Sequence, residues 1–273
     1  MRLVTGALSI LLAAVSAAAS DSPKALGGGQ DPTIDGDAGK LQPRIINGID
    51  APVNRYPYTA SLQNGDVHEC GGSLIAPDLV ITAAHCLAAL SGSSRIVLNP
   101  HKFSDPIEAS EVFFIEDGVV HPSYGALTGY DHDYIIIKLT GSSSNPTVRL
   151  NTDDNLPVTG SPLQVMGWGT TVTNKYIKSD TLQEIDVVAI TNEGCSKASR
   201  AYKNEITPDM LCAAEVNKGS CQGDSGGPLV IAGSSSDEDV QVGIVSWGIG
   251  CAEAKSKLFR KSIVVFRFLD KSH

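Results

Sequence analysis

Short runs of Val, Ile and Leu recur along the chain and are separated by Gly, Pro, Asn, Asp and Ser, a spacing that suits antiparallel strands joined by turns. The clearest runs are Gly72–Ile75, Leu79–Thr82, Tyr134–Leu139, Leu163–Met166, Leu182–Val188 and Val242–Val245. Few stretches repeat their apolar positions with a helical period, so the pattern predicts an all-β protein. The entry segment differs. Residues 1–19 place Arg2 ahead of an apolar run, Leu8–Val15, and then the small residues Ser16–Ala19. That order reads as a secretory signal peptide, the apolar run being too short for a membrane span. Residues 20–44 contain Gly27-Gly28-Gly29 and Asp31-Pro32 without a usable hydrophobic period, and read as an unstructured pro-segment.

Composition narrows the class. A chain of 273 residues that is 42% hydrophobic can bury a full core in one or two domains. A net charge of −9 argues against nucleic acid and anionic membrane surfaces as partners. Export would put the six cysteines in an oxidising compartment, where an even count argues for three bridges of open connectivity. No Cys-x-x-Cys pair or Cys/His spacing suggests zinc, so no metal or cofactor is expected. No N-glycosylation sequon is present either.

The candidate chemistry lies in Cys221-Gln222-Gly223-Asp224-Ser225-Gly226-Gly227-Pro228. Glycines around one serine free the backbone to aim N–H groups at a developing anion, which makes Ser225 a candidate nucleophile. Alone, such a run could be a Gly-rich turn with a solvated serine. Upstream, however, Thr82-Ala83-Ala84-His85-Cys86 supplies a histidine, and Asp133 stands at the mouth of the apolar run Tyr134–Leu139. The order His, Asp, Ser matches one serine-protease arrangement. Gly223–Gly227 also fits a bare Gly-x-Ser-x-Gly elbow, but α/β-hydrolases order the triad Ser, Asp, His, and no histidine in a suitable context follows Ser225.

On these motifs, with Arg44-Ile45-Ile46-Asn47-Gly48 at the start and Ser246-Trp247-Gly248 near the end, the chain resembles the chymotrypsin/trypsin family of secreted serine endopeptidases from about Ile45 to Cys251. The resemblance implies two six-stranded antiparallel Greek-key β-barrels, roughly 45–150 and 151–273, with the active site in the cleft between them. It gives Ser225 as nucleophile, His85 as general base and Asp133 as the carboxylate that orients it, with the N–H groups of Gly223 and Ser225 as oxyanion hole. Asp131 is expected to face solvent. It pairs Cys70 with Cys86, Cys195 with Cys212 and Cys221 with Cys251.

The resemblance also implies a zymogen: a trypsin-like activating protease cuts after Arg44, and the freed ammonium of Ile45 turns inward to Asp224. Before the cut, the loop around Ser225 is expected to be misformed. Gly219, Ser220, Gln222, Ser246, Trp247 and Gly248 would contact substrate. Trypsin-like members carry an aspartate where this chain has Gly219, so an apolar or small residue is expected before the scissile bond. The partners implied are protein or peptide substrates and proteinaceous inhibitors, with the chain a monomer. His68, His101, His121, His132 and His273 are read as surface or structural, and His121-Pro122-Ser123-Tyr124 as a loop landmark. Glu108, Glu111 and Glu116 fall where calcium-binding trypsins place glutamates, but Asn99-Pro100 stands where the first ligand would be, and the oxygen ligands are too few to assign calcium.

After Cys251-Ala252 the resemblance stops. The family's Pro-Gly-Val-Tyr strand and closing helix are replaced by Glu253–Lys261 and an apolar run, Ser262–Leu269, with Leu258 near the place of the pocket-wall glycine. The run predicts a last strand without a packed helix. A tail of this kind points to an altered reading frame or to drift toward a catalytically weak binding or inhibitor protein.

Overall fold

The computed structural model describes residues 48–106, 110–172, 175–215, 219–248 and 261–266, with backbone alone for 171–172, 175–176 and 261–266. The expected signal peptide, pro-segment, Arg44 and Ile45 lie outside the described residues, as do Glu108, Cys251, Leu258 and His273. After a short strand β1 (Ile49–Asp50), six strands close a barrel: β2 (Thr59–Asn64), β3 (Val67–Ala76), β4 (Leu79–Thr82), β5 (Ser94–Leu98), β6 (Glu111–Val120) and β7 (Ile135–Leu139). The order around it is β2-β3-β4-β7-β6-β5. β5 returns to lie beside β2, so β5-β2-β3-β4 is a Greek key. Period-two alternation explains β7: Ile135, Ile137 and Leu139 point into the core, while Lys138 faces out toward Glu116 at 3.3 Å.

The second half supplies β8 (Arg149–Leu150), β9 (Pro162–Gly167), a small hairpin of β10 (Thr170–Val172) and β11 (Lys175–Lys178), β12 (Gln183–Ile190), β13 (Met210–Glu215), β14 (Pro228–Ile231), β15 (Val240–Gly248) and β16 (Lys261–Phe266). The antiparallel pairs β9–β12, β12–β13, β13–β16, β16–β15, β15–β14 and β14–β9 run in a closed ring. The atypical tail therefore provides the sixth strand, with Leu211 opposite Val265 on one side and Val245 opposite Val265 on the other. An apolar run of strand-forming residues can fill a gap between two barrel strands whatever its ancestry, because the ladder is made by backbone.

All six of the named apolar runs coincide with strands, Tyr134 and Leu182 each standing one residue ahead of theirs. The helix α1 (Asn192–Ala198) has no counterpart in the sequence reading. Thr191 caps it, its side chain accepting from the Gly194 N–H at 3.0 Å. Cys195 is buried on this helix and bonded to Cys212 of β13, while Cys70 of β3 is bonded to Cys86, both as the resemblance implied. Cys221 is also disulfide-bonded.

Polar contacts join the two barrels across their seam. Arg55 grips Asp239 with both terminal nitrogens, at 2.6 and 2.8 Å, and the Tyr58 hydroxyl donates to the same carboxylate at 2.7 Å. Ser73 Oγ donates to Gln241 Oε1 at 2.7 Å. Arg55 is half-buried and its partners are buried, and the groups satisfy one another, which fixes one docking geometry for the walls of the cleft.

Candidate active site

The antiparallel pairing of β4 with β7 sets Thr82 opposite Ile135. His85 follows Thr82 in a 3-10 turn, Ala84–Ala89, and Asp133 precedes Ile135, so both emerge at the same end of the first barrel. There Asp133 takes hold of His85 twice. Its Oδ1 accepts from the His85 backbone N–H at 2.8 Å, and its Oδ2 lies 2.6 Å from His85 Nδ1. The carboxylate is fully buried, whereas the imidazole side chain keeps 25% exposure. A carboxylate can only accept, so Nδ1 carries the proton and Nε2 is left with a lone pair. Ser246 on β15 adds a further donor, its hydroxyl reaching Asp133 Oδ2 at 2.6 Å. Ser246 entered the sequence reading as a substrate contact; its grip on Asp133 was missed, and only the pairing of distant strands reveals it. Tyr130 stands edge-on to the His85 ring at 5.8 Å and stacks near Trp247 at 6.1 Å.

The Ser225 loop, just ahead of β14, is pinned to the same corner. Ser225 O accepts from Gly71 N–H of β3 at 2.8 Å, and Gly226 N–H donates to Val245 O at 2.7 Å. Gly226 has φ +82°, and a Cβ there would fall 2.1 Å from Thr82 Oγ1 and 2.4 Å from Gly71 O. Only glycine lets the loop approach the strand leading to His85. Among the described residues Ser225 Oγ makes no hydrogen bond to His85 Nε2; such bonds tighten when substrate arrives. The backbone N–H groups of Gly223 and Ser225 find no acceptor among the described residues.

Gly223 has φ +100°, and its carbonyl is held by His68 Nε2 at 2.8 Å. Ser61 Oγ lies 2.8 Å from His68 Nδ1. This buried ring, read from sequence as surface or structural, is the support of the Gly223 peptide. Burial pushes its pKa down to about 3. Asp224 is fully buried and accepts from the N–H groups of Gly169 and Cys221, each at 2.8 Å. It has no cationic partner among the described residues, and burial pushes its pKa up to about 7 against those two bonds.

Gly219 is buried, Ser220 and Trp247 are half-buried, and Gln222 and Gly248 are exposed. Asp131 does not face solvent as expected. It is fully buried, accepting from Thr207 Oγ1 at 2.9 Å and lying 3.0 Å from His132 Nδ1. One of its partners, Thr207, lies 76 residues away in sequence. Asp133 is thus set apart from Asp131 by what each touches, not by exposure. Of the acids weighed for calcium, Glu111 is held by Ser143 and Ser144 and Glu116 faces Lys138.

The family model for trypsin matches residues 45–269. Hypodermin-B of Hypoderma lineatum is 34% identical over 227 residues, covering 82% of this chain and 82% of its own. Trypsin of Sarcophaga bullata is 37% identical over 219 residues, covering 78% and 82%. The solved structure of neuropsin, a serine protease expressed in the limbic system of mouse brain, superposes with a TM-score of 0.69 at 27% identity, over 81% of this chain and 93% of its own. The chain belongs to the trypsin family and is a serine endopeptidase, acting on protein or peptide substrates.

Proposed function

We propose that the chain hydrolyses peptide bonds through an acyl-enzyme on Ser225. His85 Nε2 takes the Ser225 proton as Oγ attacks the scissile carbonyl, then returns it to the leaving amine. Asp133 holds the ring in the tautomer that leaves Nε2 basic, and stabilises the imidazolium once it forms. The N–H groups of Gly223 and Ser225 receive the oxyanion; losing one such donor costs about 3 kcal/mol of barrier. The observation that carries this reading is the double grip of buried Asp133 on His85, reinforced by Ser246, beside a loop whose two N–H groups have no other acceptor among the described residues.

Gly219 and Ser220 place no carboxylate where a substrate Arg or Lys would need one. The enzyme therefore prefers an apolar or small residue before the scissile bond. Substrates with Phe, Leu or Ala at that position are expected to be cleaved faster than Arg substrates, and faster Arg cleavage would overturn the preference. Two disulfides among the described residues fit an oxidising, extracellular setting, in keeping with the signal-like residues 1–19. Asp224, buried without a cation, supports activation by a cut after Arg44 whose new ammonium pairs with it. The activator is a separate trypsin-like protease, since the proposed preference does not accept Arg44.

Labelling with a fluorophosphonate probe tests the reading, before and after limited cleavage at Arg44. Labelling of the cleaved chain that vanishes in Ser225→Ala is the expected result. Cleaved, folded protein that stays unlabelled would move the chain to a protease-like binding role.

A further inference from the structure

Outside the triad, Asp131, His132 and Asp209 bring one nitrogen and two carboxylates within metal-binding reach of one another. The cluster is ordered in a particular way. Asp131 Oδ2 lies 3.0 Å from His132 Nδ1, so Nδ1 is the protonated nitrogen and Nε2 offers its lone pair. On that side stands Asp209, with Oδ2 3.7 Å from Nε2. This separation is too long for a hydrogen bond, yet close to the edge of about 3.3 Å that two ligands span at bond lengths of about 2.0 Å in a tetrahedral zinc site.

The supports are those of a metal-binding histidine. A ligating imidazole typically donates its other N–H to a carboxylate, and here that carboxylate is fully buried and itself held by Thr207. The ring plane is fixed as well: His121 stacks on His132 at 4.5 Å with 6° between planes. The metal-facing side stays open, the His132 and Asp209 side chains keeping 16% and 51% exposure. Imidazole with a single carboxylate suits zinc, whereas calcium and magnesium seek six or more oxygens.

We propose that His132 Nε2 and Asp209 bind a zinc ion completed by water, with Asp131 orienting the histidine. The ion would tie the segment leading into Asp133 to the residue just ahead of β13, joining the two barrels at a point separate from the triad. The rival occupant is a proton, with a charged imidazole lying between two carboxylates.

Isothermal titration of zinc chloride into the full-length Ser225→Ala chain separates the two, because that variant cannot digest itself. One ion is expected to bind per chain. His132→Asn keeps a side chain that tolerates the φ of +49° at this position and is expected to weaken binding more than about 100-fold. Asp209→Asn, on an exposed side chain, is expected to weaken it about tenfold. His85→Ala should leave it unchanged. Absence of saturable binding, binding that survives His132→Asn, or binding lost in His85→Ala would each overturn the proposal, the last by placing the ion on the triad. Melting of each variant without zinc confirms that it folds, and a zinc-dependent rise in melting temperature confined to chains with His132 gives a second readout.

Discussion

Two histidine–aspartate sets meet at the Ser225 loop, His85 with Asp133 and His68 with Asp224, and they are treated in opposite ways. At the first pair the two side chains meet at 2.6 Å, and three donors converge on the aspartate. At the second the side chains are kept apart. His68 spends its Nε2 on the Gly223 carbonyl, and Asp224 has two backbone N–H groups and no cation among the described residues. Both aspartates are fully buried, so burial alone does not decide how such a group behaves. What decides it is whether the charge lost to water is answered by a partner.

The largest test of this contrast is Asp133→Asn. An amide in place of the carboxylate would favour the wrong histidine tautomer, so kcat is expected to fall about 10⁴-fold with little change in KM. A loss below tenfold would mean that the grip on His85 is structural only.

The second test concerns the other pair and turns on sign. The Asp224 pKa is raised from 3.8 to about 7, so between these values the folded chain holds a proton that the unfolded chain has released. Stability from this group is therefore greatest at low pH and falls as pH rises to about 7. The His68 pKa is lowered from 6.5 to about 3, so in that range the unfolded chain holds the extra proton. Its contribution is complete above about 6.5 and is lost as pH falls toward 3. Each shift corresponds to about 4–5 kcal/mol at 1.36 kcal/mol per pH unit. The two slopes oppose each other from about pH 4 to 6.5, so these residues leave little net slope in the parent chain. In the Ser225→Ala background, Asp224→Asn is expected to make stability rise with pH across this window and His68→Gln to make it fall. Urea unfolding at several pH values reads both slopes, and parallel profiles for the two variants would sink the account. An ammonium delivered to Asp224 by cleavage after Arg44 would draw its pKa back down and remove its half of the opposition.

The contrast also marks what the sequence could reveal. Strands whose apolar residues form unbroken or alternating runs were legible, as in Leu79–Thr82 and Tyr134–Leu139. β6 was not, because Val112, Phe114 and Val119 lie on its exposed face and erase the alternation that its inward Phe113 and Ile115 would otherwise show. β2 is buried on both faces yet carries Thr59, Ser61 and Gln63, which mask it as polar. In the candidate site, His85, Asp133 and Ser225 are legible as candidates because each sits in its own short motif. His68, the burial of Asp131 and the bond from Ser246 to Asp133 were not, because each depends on partners brought together only by barrel closure. The tail lacks the expected motif but not the apolar pattern, and it is the pattern that its backbone pairing with β13 and β15 requires.

The smallest effect is expected at Ser246, where the comparison can be sharpened to a single hydrogen bond. Ser246→Ala removes one of the donors to Asp133 and leaves the two from His85. A buried carboxylate that loses one hydrogen bond of several should cost about 1–3 kcal/mol. If that cost falls on the transition state, kcat/KM drops by between about 5-fold and 150-fold, the bond acting on His85 only through Asp133. If so, the same substitution made on top of Asp133→Asn should cost much less, because the carboxylate whose charge it supports is gone. Measuring kcat/KM for the parent, both single variants and the double variant closes the cycle. Additive losses would mean that Ser246 acts on substrate directly, as its place on β15 first suggested; a strongly non-additive result would place its main effect on the aspartate.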